Sequence, residues 1–161
     1  MKHLPNTMKR AALGFTLIEL MITISILVIL LTVAVPSFRE FVQSQRVKTT
    51  AFDLFAAITY ARSEALKRNG DVTLSAATGG WANGWSISAG SSTLRTQSAI
   101  DSSVAITASA TSLTYGRDGR TGGGAATTLQ LAPNPSVSWI SPRCIKIDLS
   151  GRPNSKLGSC S

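Results

Sequence analysis

The chain has 161 residues, with 16 Lys and Arg against 8 Asp and Glu for a formal charge of +8, so beyond a membrane anchor it holds one domain of ordinary size and no second. Its one histidine, His3, precedes everything else, which excludes imidazole chemistry and histidine metal sites from the body of the chain. Cys-x-x-Cys, the phosphate-cradling Gly-x-x-x-x-Gly-Lys and Gly-x-Ser-x-Gly are all missing, and no enzyme activity, metal or cofactor is expected.

In chain order, Met1 to Gly14 is polar and basic, with Lys2, Lys9 and Arg10. The stretch Gly14-Phe15-Thr16-Leu17-Ile18-Glu19-Leu20 then opens an apolar run that ends at Pro36. Phe15 to Val35 is 21 residues, which as a helix covers roughly 30 Å, the thickness of bilayer hydrocarbon. Glu19 is its only charge, and a carboxylate in hydrocarbon costs about 2.5 to 3.5 kcal/mol on insertion scales, so a partner is expected for it. Lys9 and Arg10 stand just before the span, whereas Arg39 and Glu40 cancel after it, so residues 1–14 are expected in the cytoplasm and the domain on the far side of the membrane. A cleavable secretory signal would have a shorter apolar core and a small-residue cut such as Thr32-Val33-Ala34 offers. A plain single-pass anchor accounts for the hydrophobicity but not for Glu19 or the Gly14-Phe15 junction.

Gly14-Phe15-Thr16-Leu17-Ile18-Glu19-Leu20, after a basic leader and before a long apolar helix, resembles the type IV prepilin signature of pilins and type II secretion pseudopilins. The resemblance implies that a prepilin peptidase cuts between Gly14 and Phe15 and methylates the new amine of Phe15. It further implies assembly with other pilin or pseudopilin subunits into a filament, with Glu19 neutralising the N-terminus of an adjacent subunit. Loss of the leader lowers the formal charge to +5 by removing Lys2, Lys9 and Arg10.

Pro36 lies within the helical pattern, lacks an amide hydrogen and crowds the carbonyl of Thr32, so a bend or local break is expected before the helix resumes. From Phe38 to Lys67, Phe41, Phe52, Phe55, Ile58 and Leu66, with Ala51, Ala61 and Ala65 between them, recur near a helical period and predict an apolar stripe lying on a sheet. Arg68-Asn69-Gly70 supplies a cation and a left-handed stop. Strands are predicted at Val72 to Ser75, Trp85 to Ala89, Leu94 to Gln97, Val104 to Ala108, Ser112 to Tyr115, Thr127 to Leu131, Val137 to Ile140 and Cys144 to Leu149. Trp81, Trp85 and Trp139, with Tyr115, suit either base stacking or a core, and core is the expectation, most strongly for Trp85 and Trp139. Arg62 and Glu64 are expected to be solvated or paired structural residues.

The predicted class is α+β: one long helix on a mostly antiparallel sheet, divided into residues 1–14, a membrane segment at 15–35, its amphipathic continuation at 36–69 and a β-rich domain at 70–161. Ala61-Arg62-Ser63-Glu64-Ala65-Leu66-Lys67-Arg68-Asn69, Val72-Thr73-Leu74, Trp81-Ala82-Asn83-Gly84-Trp85 and Ser150-Gly151-Arg152 resemble the GspH/FimT branch of pseudopilins and minor pilins; Ser86 to Ser136 matches poorly. The likeness implies a pilin-like fold and a subunit of a type IV pilus or a type II secretion pseudopilus, serving filament assembly and protein secretion or DNA uptake.

The basic excess is C-terminal: six cations follow Leu113 against Asp118 and Asp148. Cys144 and Cys160, an even count in an exported domain, read as one disulfide contributing roughly 3 kcal/mol by closing its loop. Arg143, Lys146, Arg152 and Lys156 lie in or beside that loop and are candidates for gripping phosphates without reading bases. The tail resembles that of FimT-type minor pilins, whose Gly-Arg-x-Arg motif implies contact with double-stranded DNA. Gly151-Arg152-Pro153 matches that pattern, but Asn154 stands at the second arginine position and Lys156 is two residues further on. The alternative is a tail that only shapes the surface or a subunit contact.

Overall fold

A computed structural model describes residues 14–122 and 125–160. One helix, α1 (Leu17–Arg68), opens the fold, and the chain divides after Phe38 into two units.

In the first unit the helix is apolar on every side and exposed on every side, so the only helix long and apolar enough to cross a membrane among the described residues is unburied by its own chain. Three of its hydroxyls are turned onto its own backbone: Thr23 Oγ1 donates to Leu20 O at 2.8 Å, Ser25 Oγ to Met21 O at 2.8 Å and Thr32 Oγ1 to Ile29 O at 2.7 Å. These three hydroxyls are thereby satisfied within the segment, as hydrocarbon requires. Of the bend or local break expected at Pro36, the break does not occur. The helix is continuous there, the proline forfeiting one hydrogen bond that the neighbouring turns survive.

In the second unit α1 buries Val47, Thr50, Ala51, Leu54, Ala57, Ile58, Ala61, Glu64 and Ala65, a run of three- and four-residue steps. The predicted stripe is corrected here. Phe41, Phe52 and Leu66 are exposed and Phe55 is half-buried, while the alanines face the sheets, because a helix seated closely on strands has room for small side chains at the contact. The helix stops where Asn69 takes φ 51°. Gly70 N donates to Ala65 O and Asn69 N to Leu66 O, the paired bonds of a Schellman end.

Eight strands follow among the described residues: β1 (Val72–Ala77), β2 (Gly80–Ala89), β3 (Ser92–Gln97), β4 (Val104–Ala108), β5 (Ser112–Tyr115), β6 (Thr127–Pro133), β7 (Arg143–Ile147) and β8 (Pro153–Leu157). They form two antiparallel sheets instead of one, ordered β3-β2-β1-β5 and β4-β6-β7-β8. Their shared core with α1 includes Leu54, Ile58, Leu74, Ile87, Leu129, Leu131, Ile145 and Ile147, each contributing about 1.5–3 kcal/mol by burial. Trp81 and Trp85 join it, and Trp81 Nε1 donates to Ala110 O at 2.8 Å.

One strand expectation fails, and one strand was not predicted. Val137 to Ile140 alternates like a strand but lies in a loop bounded by Pro135 and Pro142, and its Trp139 is 63% exposed, not core. Strand β8 went unpredicted because Pro-Asn-Ser-Lys-Leu has little strand propensity; it is an outer strand held by β7 through five facing pairs from Arg143↔Leu157 to Ile147↔Pro153.

Candidate functional site

The N-terminal signature is laid out for access. Gly14 and Phe15 precede the helix, both exposed, Phe15 by 86%. Thr16 Oγ1 accepts a hydrogen bond from Glu19 N at 3.2 Å, making Thr16 the N-cap and Glu19 the third helical residue. Thr-x-x-Glu is a capping-box spacing, and an N-cap hydroxyl stabilises a helix start by about 1 kcal/mol. Glu19 is therefore placed by local helix chemistry on the first exposed turn, and it has no ion-pair partner among the described residues. The capping role was readable from the spacing of Thr16 and Glu19 but overshadowed by the carboxylate's position in an apolar run.

At the other end of the chain, strand alternation separates the four cations proposed as one group. Arg143, Ile145 and Ile147 share the inner face of β7, and Arg143 is half-buried; Cys144 and Lys146 share the outer face. Lys156 faces Cys144 and Asn154 faces Lys146 across the β7–β8 pair, so Lys146 and Lys156 are diagonal neighbours on that outer face. Arg152 stands apart in the turn between the strands. Cys144 and Cys160 are joined as expected, with Cα atoms 5.1 Å apart, and Cys160 N donates to Gln130 Oε1 on β6 at 2.9 Å.

Arg152 belongs to an arrangement that sequence reasoning missed. Two turns share one design. In the first, Gly119 N donates to Gly116 O at 2.8 Å, Gly116 N to Arg120 O at 2.9 Å and Arg120 N to Asp118 Oδ1 at 3.1 Å. In the second, Gly151 N donates to Asp148 O at 2.9 Å, Asp148 N to Arg152 O at 3.4 Å and Arg152 N to Asp148 Oδ1 at 3.1 Å. Gly119 (φ 70°) and Gly151 (φ 78°) take the left-handed position in each, and each is followed by an exposed arginine. The repeated Gly-Arg, with an aspartate one residue before the glycine in the first turn and three before it in the second, was the available signal.

The two turns are locked together. Arg62 of α1 donates from Nε to Gly119 O at 3.0 Å and from a terminal nitrogen to Ser150 O at 3.4 Å, and buried Tyr115 Oη donates to Gly151 O at 3.1 Å. Burial pushes the Tyr115 phenol up to about 12, the nearby Arg62 charge opposing the rise. The Asp148 carboxyl is held below its ordinary range, first by the Ser150 hydroxyl at 2.6 Å and then by the Arg152 amide. Glu64 is paired with Arg68 at 2.7 Å and Lys67 at 3.7 Å, and the Arg68 hydrogen bond lowers its carboxyl most. Arg62 and Glu64 are thus structural, Arg62 by clamping carbonyls and Glu64 by pairing. Among the described residues no group of three or more His, Cys, Asp and Glu is placed to hold a metal ion.

Arg62, Tyr115, Gly119, Ser150 and Gly151, which make this lock, fall within a segment that matches a known family: residues 50–151 fit the profile of type II transport protein GspH. The chain belongs to the GspH family. Residues 9–35 of this GspH-family chain fit the prokaryotic N-terminal methylation motif, spanning the Gly14-Phe15 junction, the Thr16 cap and Glu19. Two crystal structures of the Pseudomonas aeruginosa type IV minor pilin FimU share its fold at 22% identity. One has a TM-score of 0.60 over 68% of this chain and 91% of FimU, the other 0.62 over 74% and 92%. No curated protein matches at the level of sequence. The fold is therefore pilin-like and α+β, with an apolar N-terminal helix and one disulfide.

Proposed function

We propose that this GspH-family chain is a minor pilin or pseudopilin, processed by a prepilin peptidase and built into a type IV pilus or a type II secretion pseudopilus beside other subunits. In this reading residues 1–14 are a cytoplasmic leader, cleavage falls between Gly14 and Phe15, and the new Phe15 amine is methylated. Residues 15–35 hold the chain in the inner membrane, 36–69 carry the helix on, and 70–161 form the domain on the periplasmic side.

One observation carries the reading: the helix from Leu17 exposes apolar side chains all round while its first turn presents a single carboxylate, Glu19. Lipid covers the apolar surface before assembly and neighbouring helices cover it afterwards. A cut after Gly14 leaves an amine one residue before the cap, and a sister subunit's amine answers the Glu19 charge, offsetting the cost of burying it. Replacing Glu19 with Ala, or Gly14 with a bulky residue, is expected to abolish incorporation into filaments. Wild-type incorporation of both variants overturns the reading, as does mass spectrometry of filament-derived chain showing a start other than methylated Phe15.

A second reading, DNA capture during uptake, is favoured by the outer face of β7 and β8, where Lys146 and Lys156 stand without a carboxylate among the strand residues beside them. Arg152 and, across the paired turns, Arg120 add charge at the neighbouring end. Binding of double-stranded DNA by the full chain is then expected to be weak, indifferent to sequence, steeply reduced by salt, and lost when Arg152 and Lys156 become Gln. Absent or salt-insensitive binding removes it.

A further inference from the structure

Between α1 and the outer edge of the β4-β6-β7-β8 sheet lies a groove of about 560 Å³. Its helix wall carries Lys48, Thr49, Phe52 and Phe55, and its strand wall carries Arg143 of β7 and Ser155 of β8. All of it belongs to the second unit. Phe52 is 71% exposed, and Leu157, which faces Arg143 across the β7–β8 pair, is 66% exposed. The inner face of β8 is therefore left uncovered by the helix that covers its sister strands.

The charges are asymmetric. The lining holds two cations and no carboxylate, and neither Lys48 nor Arg143 makes an ion pair among the described residues. Elsewhere on the same helix, Arg46 takes Asp101 at 2.8 Å and Arg68 takes Glu64 at 2.7 Å, so cations here pair when an acid is in reach. Lys48 stands on the helix wall and Arg143 on the strand wall of this groove, whose lining also holds Phe52 and Phe55. Two cations so placed clamp one short segment. They do not track a phosphate backbone, which single-stranded nucleic acid would require. Desolvated aromatic anchors beside an arginine are the composition of a protein-binding hot spot, and the unpaired edge of β8 adds main-chain donors and acceptors.

We propose that this groove receives a polypeptide segment of a neighbouring filament subunit in which carboxylates flank an apolar side chain. The apolar side chain covers Phe52 and Phe55, and the carboxylates meet Lys48 and Arg143. The inference rests on the filament reading above, since it takes the partner from the same assembly.

The test uses the full chain in assembled filaments, with Phe52 replaced by the photo-crosslinker benzoylphenylalanine and the adduct mapped by peptide mass spectrometry. The expected adduct is a segment of another subunit with two or more Asp or Glu around an apolar residue. Lys48→Glu with Arg143→Glu should lower the yield by about tenfold or more, because like charges then face each other. Lys48→Arg with Arg143→Lys should retain it, and lysines placed at the mapped acids should restore it in the charge-reversed chain. Crosslinking to nucleic acid, to a segment without carboxylates, or with a yield indifferent to charge reversal overturns the proposal. Filaments that contain the chain but give no adduct at Phe52 overturn it while leaving the filament reading intact. A chain absent from filaments in every form defeats the filament reading itself, and this proposal with it.

Discussion

Tyr115 Oη donates to Gly151 O at 3.1 Å from a fully buried ring, tying the end of β5 to the turn that carries Arg152. Among the described residues no buried side-chain polar atom lacks a partner, and this bond is one reason. Tyr115→Phe removes the donor and keeps the ring, so the Gly151 carbonyl loses its partner at a cost of about 1–3 kcal/mol. Thermal unfolding should register a lower midpoint. The phenol titrates near 12 when folded against an ordinary value of 10.0, so its proton is held more tightly in the folded state. Its contribution is complete below the unfolded value and is lost as pH rises toward the folded one. The stability gap between wild type and Tyr115→Phe, followed by urea unfolding, should stay constant up to about pH 10 and then close; a gap that widens there contradicts the assignment.

Gly151 is the tightest point of the same contact. A Cβ built there would overlap Gly119 O and stand 2.9 Å from Tyr115 Cε1, and its φ of 78° is one that side-chain-bearing residues rarely adopt. Gly151→Ala therefore combines backbone strain of about 1–3 kcal/mol with a clash against fixed backbone. The turns must part, and Arg62, which bridges them, loses one or both carbonyls. Amide exchange at Gly119 and Gly151 should accelerate more in this variant than in Gly90→Ala, where the added Cβ meets nothing within 4 Å.

Reduction of Cys144–Cys160 tests the C-terminal segment separately. The bridge spans 16 residues of sequence, and a loop of that size is worth roughly 3 kcal/mol in the chain-entropy account. A Cys144→Ala and Cys160→Ala chain should unfold at correspondingly lower urea. The loss should be local first: Cys160 N gives up Gln130 Oε1, and the residues after β8 leave the outer face where Lys146 and Lys156 stand. Proteolysis after Leu157 by a limiting protease provides the readout.

How far these features were visible in advance depends on the range of the interaction behind them. Helix α1, its stop at Asn69, and strands β4 and β5 follow from local periodicity and turn chemistry, and the structure returns them where the sequence placed them. The signature from Gly14 to Leu20 was legible for the same reason. Which side of the helix would face the sheets was not, because Phe41 and Phe52 outweigh Ala51, Ala57 and Ala61 in hydrophobicity but do not fit under the strands. Strand β8 is held by pairing with β7, not by its own propensity. The split of Arg143 from Lys146 follows from period-two alternation along β7, but the predicted strand began at Cys144, one residue after Arg143, and its partner β8, which carries Lys156, was not predicted at all, so the four cations were grouped by their place near the disulfide and not by strand face. The union of Gly119 with Gly151 joins residues 32 positions apart, and no window of the sequence contains it.

Asp148 offers the sharpest reading of how that union responds to pH. Its Oδ1 accepts from both the Ser150 hydroxyl and the Arg152 amide, and these bonds hold the carboxyl below its ordinary 3.8. A depressed acid stabilises the fold above its unfolded value, and the contribution disappears as pH falls through the lower folded value. Asp148→Asn keeps an oxygen acceptor and removes the charge, so it isolates the electrostatic part. The wild type should be the more stable of the two from pH 7 down to about pH 4, with the difference shrinking below that as the wild-type carboxyl takes up its proton. Exchange of the Arg152 amide should follow the same course, accelerating in wild type only under acid conditions and in the Asn variant at every pH. Equal exchange in the two chains at neutral pH would mean that the turn is held by its backbone bonds and the Tyr115 and Arg62 contacts alone, with the aspartate charge contributing nothing to the placement of Arg152.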